Sequence, residues 1–314
     1  MTTSRTSPVA LVLAISSALA FATSGPLAKS LINAGWSPQA AVAARISGAA
    51  LLLLPVVVLV VWSSRGRVVR ENAGHLLAFG LVAVAGAQIG FFSAVKTLPV
   101  AVALLLEYTS PILVVGWLWA VHRQQPSWAT LWGAGLAIVG TALVIDPFAG
   151  FGVSLTGVAW ALFAACCSAG YFLLAANSPD GLSPVVTLGV GLIVGSVAVL
   201  AAGAAGLLTL EVATTPVVLA GQSVGWWVPV AGLVIISGVI AYLLGMLAVR
   251  RLGSRLASFL ALTEVLFAVI AASLLIGQVP TMTQLVGGAL VLAGILLVRA
   301  GEVTADRTDA PAAN

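Results

Sequence analysis

Apolar stretches of roughly 20 residues, each long enough to cross a hydrocarbon core of about 30 Å as a helix, recur throughout the chain. They fall near 9 to 32, 39 to 62, 75 to 95, 100 to 121 and 128 to 146, then near 155 to 176, 184 to 207, 228 to 249, 256 to 276 and 282 to 299. Short turns such as Ser63-Ser64-Arg65-Gly66-Arg67 and Asn177-Ser178-Pro179-Asp180-Gly181 separate them, and one longer amphipathic connection covers 208 to 226. No room is left for a soluble domain. Of 314 residues, 61% are hydrophobic and 7% charged, with a mean hydropathy of +1.16. Such a chain lacks the polar surface of a water-soluble globule. The sequence predicts an all-α integral membrane protein of ten transmembrane helices.

The first stretch resembles a signal peptide, with Arg5, an apolar run from Val9 to Ala22 and the triplet Ala18-Leu19-Ala20. Its apolar run continues to Ile32, so a retained span is expected. The formal charge of +4 and pI near 9.6 report topology here and not a nucleic-acid partner. Basic residues gather in cytoplasmic loops. With ten spans and the N-terminus inside, Arg5, Arg65, Arg67, Arg70, Arg123, Arg250, Arg251, Arg255, Arg299 and Arg307 are all cytoplasmic, against Lys96 alone outside. Lys29 and Arg45 lie within spans. This one-sidedness places both termini in the cytoplasm of a multi-pass cell-membrane protein.

Internal repetition sets the architecture. A shift of 154 residues superposes the third to fifth spans on the eighth to tenth without a gap. It matches Gln124 with Gln278, Pro126 with Pro280, Gly133 with Gly287 and Gly140 with Gly294, and brings Lys96 onto Arg250. A shorter echo near 145 aligns Gly25 with Gly170, and Ser37-Pro38 with Ser183-Pro184 after one inserted residue. Five spans per half is an odd number, so the halves enter the membrane in opposite orientations. Inverted repeats of this kind commonly build alternating-access transporters with a site near the midplane. The expected units are 8–146 and 154–300, each a five-helix repeat, followed by a disordered cytoplasmic tail over 301–314.

Charged groups inside spans are the sharpest local clues, because each costs at least roughly 2.5 to 3.5 kcal/mol on insertion scales unless paired or hydrated. Four stand out: Lys29, Arg45, Glu107 and Glu264. Under the 154-residue shift Glu264 meets Ser110, so the two acids sit about one turn apart on the same face of equivalent helices. Each acid is a candidate protonatable or substrate-binding carboxylate, with a structural ion pair as the other reading. Arg45 is a candidate clamp for a substrate carboxylate or a lock between spans. Lys29 sits where its flexible stem can reach the membrane surface. Gln88, Tyr108, Thr109, Ser110, Tyr171, Tyr242 and Thr263 complete a candidate cavity, although Tyr and Thr also serve as ordinary interhelical hydrogen bonders. Pro111 removes one helical hydrogen bond beside Glu107, either to open the helix there or as a packing kink.

Other features carry packing and not chemistry. Trp36, Trp62, Trp128, Trp226 and Trp227 fall at span ends, where indoles anchor between lipid and water. Cys166 and Cys167 are adjacent and have no metal-ligand spacing. His75 and His122 lack a paired-His spacing, which argues against a zinc protease. Neither Lys29 nor Lys96 follows a glycine, so the chain has no Walker A loop and no ATPase of its own. No cofactor or metal is expected; the expected partners are a small-molecule substrate and membrane lipid, for a monomer or homodimer.

The segments Gly25-Pro26-Leu27-Ala28-Lys29-Ser30-Leu31, Ala44-Arg45, Leu106-Glu107-Tyr108-Thr109-Ser110-Pro111 and Glu264 to Gly294 make the chain resemble the EamA-type drug/metabolite transporters. Within them it looks most like the threonine and homoserine exporter branch. The likeness runs from the first span to the tenth. It implies ten helices in two inverted halves, a central cavity, and export of small metabolites by exchange with protons or another solute. The chain departs from the family pattern where Val265 replaces a common proline, and where Gln124 and Gln278 replace a frequent acidic residue.

Two other classes compete with a transporter: an intramembrane enzyme acting on a lipid-linked substrate through the buried acids, and a non-catalytic membrane subunit. Purified protein in liposomes separates them. The expected outcome is solute movement without any partner protein; failure of every tested solute to move would favour the rivals.

Overall fold

The computed structural model describes residues 8–63, 66–123, 128–145, 154–176, 178–179, 182–245, 247–248 and 263–308. Gln124 and Pro126 of the repeat, and Arg5, Arg65, Arg250, Arg251 and Arg255 of the charge pattern, lie outside these residues. The described chain is helical apart from one two-stranded hairpin. Among the described residues six helices are long and apolar enough to cross a membrane: Pro8–Asn33, Pro38–Ser63, Ala73–Thr97, Val100–Val121, Val185–Ala204 and Trp227–Gly245. Shorter apolar helices occupy Leu131–Gly140, Leu155–Tyr171, Thr263–Ile276 and Leu285–Gly294, within the remaining four hydropathy windows.

The first membrane helix is interrupted into α1 (Pro8–Ala22) and α2 (Ser24–Asn33), and the fourth into α7 (Val100–Glu107) and α8 (Ser110–His122). Both interruptions have a covalent cause. Pro26 has no N–H for the Ala22 carbonyl four residues back, and Pro111 none for the Glu107 carbonyl. The helical hydrogen-bond ladder is therefore interrupted at Thr23, whose backbone stays in the α region, and at Tyr108-Thr109. Helices α3 (Pro38–Ser63) and α11 (Pro184–Ala204) share one start signal. Ser37 Oγ accepts from Ala40 N at 3.1 Å and Ser183 Oγ accepts from Val186 N at 3.3 Å, each followed by a proline whose missing N–H needs no partner there. The Ser-Pro echo in the sequence is thus a repeated helix cap.

The third membrane helix runs through α5 (Ala73–Ala78), a π-helical segment Phe79–Gly86 and α6 (Ala87–Thr97). A second π-helical segment, Gly232–Ile240, follows the short α12 (Trp227–Ala231). The 154-residue shift carries 79–86 onto 233–240, so these rare distortions occupy matched places. π-Helical turns often mark functional sites. Helix α3 packs on the second π segment and α11 on the first.

Helix α9 (Trp128–Ile145), α10 (Leu155–Ala176), α13 (Thr263–Ile276) and α14 (Met282–Thr308) complete the bundle. Helix α14 continues past residue 300 to Thr308, into the segment expected as a disordered tail. It packs along α9. A Cβ on Gly140 would stand 2.6 Å from Val291 N and 2.7 Å from Gly287 O; one on Gly294 would stand 2.5 Å from Gly133 O and 2.6 Å from Ala137 N. The shift by 154 turns each of these contacts into the other, so the pair uses one self-complementary surface twice.

The long connection, amphipathic in sequence, holds a hairpin that its polarity does not announce. Strands β1 (Val217–Leu219) and β2 (Gln222–Val224) pair antiparallel, with Val217 opposite Val224. Branched residues favour the extended backbone, and the two-residue turn needs positive φ at both positions, found at Ala220 (51°) and Gly221 (73°). The Ala220 N–H donates to the Leu275 carbonyl at 2.8 Å, and Ser37 N to the Glu211 carbonyl at 3.0 Å. This strap joins the α2–α3 turn to the end of α13.

The α9–α14 contact makes a sharp prediction. Gly140→Leu should lower the unfolding midpoint in detergent, at a cost of about 1–3 kcal/mol. Gly135→Leu, on the same helix with nothing within 4 Å of its added Cβ, should leave it unchanged; equal effects would show that the close contact is not formed.

Candidate functional site

Arg45 lies two turns into α3 and is 4% exposed. Nη1 donates to Ser24 Oγ at 2.5 Å, where the first membrane helix is interrupted. Nη2 donates to the Ser237 carbonyl at 3.0 Å, within the second π segment. The guanidinium carbon stands 5.7 Å from the centre of the Phe92 ring, close enough for a cation–π contact. Nε is buried without a partner.

Glu107 ends α7, where the helix breaks, and its Oε1 accepts from Ser168 Oγ on α10 at 2.6 Å. Glu264 lies in the first turn of α13, and its Oε2 accepts from the Tyr108 hydroxyl at 2.9 Å. Arg45 lies within electrostatic range of both carboxylates and of Tyr242, yet it reaches ion-pair distance of neither acid. Among the described residues the one ion pair is the exposed Arg67–Glu71. One cation and two acids therefore share an interior region, each contacted by neutral hydroxyl or carbonyl groups.

Tyr242 lies within electrostatic range of Arg45 and both glutamates and near Gln88, and its ring packs edge-on against Phe21 at 4.7 Å. Tyr171 lies near Tyr242 and beside Phe79 at 5.7 Å. Gln88 is 6% exposed, and neither amide atom has a partner within hydrogen-bonding geometry. Ser110 is buried at the start of α8. Of the candidate residues, Glu107, Glu264 and Tyr242 thus lie near Arg45, Tyr108 on Glu264, and Gln88 and Tyr171 near Tyr242, whereas Lys29 is held elsewhere. Its Nζ donates to the Val95 carbonyl and to the Lys96 carbonyl at 2.9 Å, at the end of α6, where a cation complements the helix dipole. Ser24, Ser168, Ser237 and Phe92 join the set from the structure. Only Ser24 has a sequence signal, its place beside Gly25-Pro26. Among the described residues no three His, Cys, Asp or Glu side chains form a metal-sized group.

A charge cluster among interrupted membrane helices is the arrangement seen in secondary transporters, and comparison with known proteins agrees. The signature of the EamA-like transporter family matches residues 8–146 and 155–300. The chain belongs to that family. An uncharacterized transporter of Archaeoglobus fulgidus is 28% identical over 225 residues, 71% of this chain and 74% of that protein. The uncharacterized transporter YwfM of Bacillus subtilis is 32% identical over 130 residues, which span 41% of this chain and 42% of that protein. A solved crystal structure covers 96% of this chain and 98% of its own at 18% identity and a TM-score of 0.60, a likeness of fold. This EamA-like protein is accordingly a multi-pass membrane transporter.

The forked contacts of Arg45 yield a second prediction. A lysine presents a point charge in place of a planar fork, so Arg45→Lys should leave Ser24 or the Ser237 carbonyl unsatisfied at a cost of about 1–3 kcal/mol. The readout is the unfolding midpoint in detergent; a midpoint equal to wild type would show that the fork carries no stability.

Proposed function

We propose that this transporter is a secondary active exporter of small polar metabolites, chiefly amino acids or their analogues, working by alternating access with proton or solute exchange. The observation that carries the reading is the meeting of Arg45, Glu107 and Glu264 in the interior without ion pairing. An arginine and two acids held apart present complementary charges to a zwitterion, the carboxylate towards Arg45 and the ammonium towards the acids. Glu107, with Glu264, engages the amine or carries the coupling proton. Gln88, Tyr108, Ser110, Tyr171 and Tyr242 line the same region; Lys29 serves at its margin.

The architecture that suits this function is ten helices in two inverted five-helix repeats, 8–146 and 154–300, with both termini cytoplasmic in the cell membrane. The matched π segments and the reciprocal glycine contacts of α9 and α14 support it. Resemblance to the threonine and homoserine exporters supports the choice of substrate class.

Counterflow in proteoliposomes preloaded with an amino-acid mixture tests the reading. Wild type should show saturable exchange, and Glu107→Gln should lose most of it while keeping the wild-type unfolding midpoint. Full exchange by Glu107→Gln would remove the proton-carrier role, and no exchange of any amino acid by wild type would redirect the search to other metabolites.

A further inference from the structure

The two hydroxyls that hold the acids each come from the opposite half of the sequence. Glu107 belongs to the first family-matched segment and is held by Ser168 of the second, at 2.6 Å. Glu264 belongs to the second and is held by Tyr108 of the first, at 2.9 Å. Glu107 and Tyr108 are neighbours at the proline-induced break of the fourth membrane helix. One irregular stretch of backbone therefore presents an acceptor to α10 and a donor to α13. Helix α7 packs against both α10 and α13, so the two hydrogen bonds report the same docking of the segments.

We propose that Ser168 and Tyr108 are positioning residues for the two carboxylates, which become a matched receptor for a cationic substrate group only while the two segments are docked. Each hydroxyl occupies one oxygen of its acid and leaves the other free to accept from an ammonium. When the segments separate, both partly buried acids lose their donors together, and a carboxylate away from water without a donor is costly. An ammonium that binds the acids only in this arrangement therefore stabilises the docked state, and its release favours separation. Arg45 and Tyr242 lie within electrostatic range of the same acids, and Arg45 keeps its own contacts to Ser24 and Ser237. The proposal rests on the transport reading for the identity of the cation, while the hydroxyl–carboxylate coupling stands on geometry alone.

Two measurements test it on the full-length protein. In amino-acid counterflow, Ser168→Ala and Tyr108→Phe should each raise KM about tenfold, the loss of one hydrogen bond to a charged group, with the maximal rate within about twofold of wild type. Ser168→Thr, which keeps the hydroxyl, should restore the wild-type KM. In double-mutant cycles on the unfolding midpoint, Ser168→Ala with Glu107→Ala and Tyr108→Phe with Glu264→Ala, which remove the acceptor oxygens that a glutamine would keep, should each be non-additive. Wild-type KM in Ser168→Ala, failure of the threonine to rescue, or additive midpoint shifts overturns the proposal. Non-additive shifts in a protein that exchanges no amino acid support the positioning contacts and overturn the amino-acid reading alone.

Discussion

A guanidinium with almost no exposure, inside a protein whose outer surface meets lipid, is the constraint around which the rest of the structure is arranged. Removing such a charge from water is expensive, and only good hydrogen-bonding geometry offsets it. Arg45 meets this with a serine from the first membrane helix, a carbonyl from the eighth hydropathy window and an aromatic face from the third. Its contacts thereby tie four segments into one body. Straight helices have no free carbonyl to lend, so the arginine is found where the helices are irregular.

The irregularities come from local chemistry. Pro26 interrupts the first membrane helix four residues on from Ala22, and Pro111 does the same to Glu107. The first interruption sets Ser24 beside Arg45; the second turns Glu107 and Tyr108 towards different helices. Irregular backbone in a membrane protein needs burial in protein or water, and the residues at both interruptions are partly buried.

The repeat is regular in its frame and irregular in its chemistry. The Ser-Pro caps, the two π segments and the glycine contacts of α9 and α14 occur at matched positions. By the Ser-Pro alignment, however, the position of Arg45 in the second segment is Gly191, whose missing Cβ leaves room for the Phe79 ring 2.7 Å from where that carbon would be. Likewise Glu264 aligns with Ser110. The frame is shared while the charges are not.

Much of this is legible in the sequence because the strongest forces on a membrane helix act locally. Whether a stretch of residues favours lipid depends on a sum over its own side chains, so the positions of the membrane helices, the proline at 111, the family and the few interior charges can be read along the chain. The hairpin at 217–224 is hidden because the polarity of a connection does not reveal strand pairing, and the carbonyls that hold Lys29 are hidden because a flexible side chain has many reachable partners. The tertiary structure alone decided the partners of the charges within the spans: Tyr108 for Glu264 at a separation of 156 residues, Ser237 for Arg45 at 192, Ser168 for Glu107 at 61. A serine in an apolar helix has no periodicity that marks it, and a hydrogen bond depends on tenths of an ångström between groups whose separation in space is set by how all the helices pack. The sequence determined which groups had to be satisfied inside the membrane, and packing determined what satisfies them.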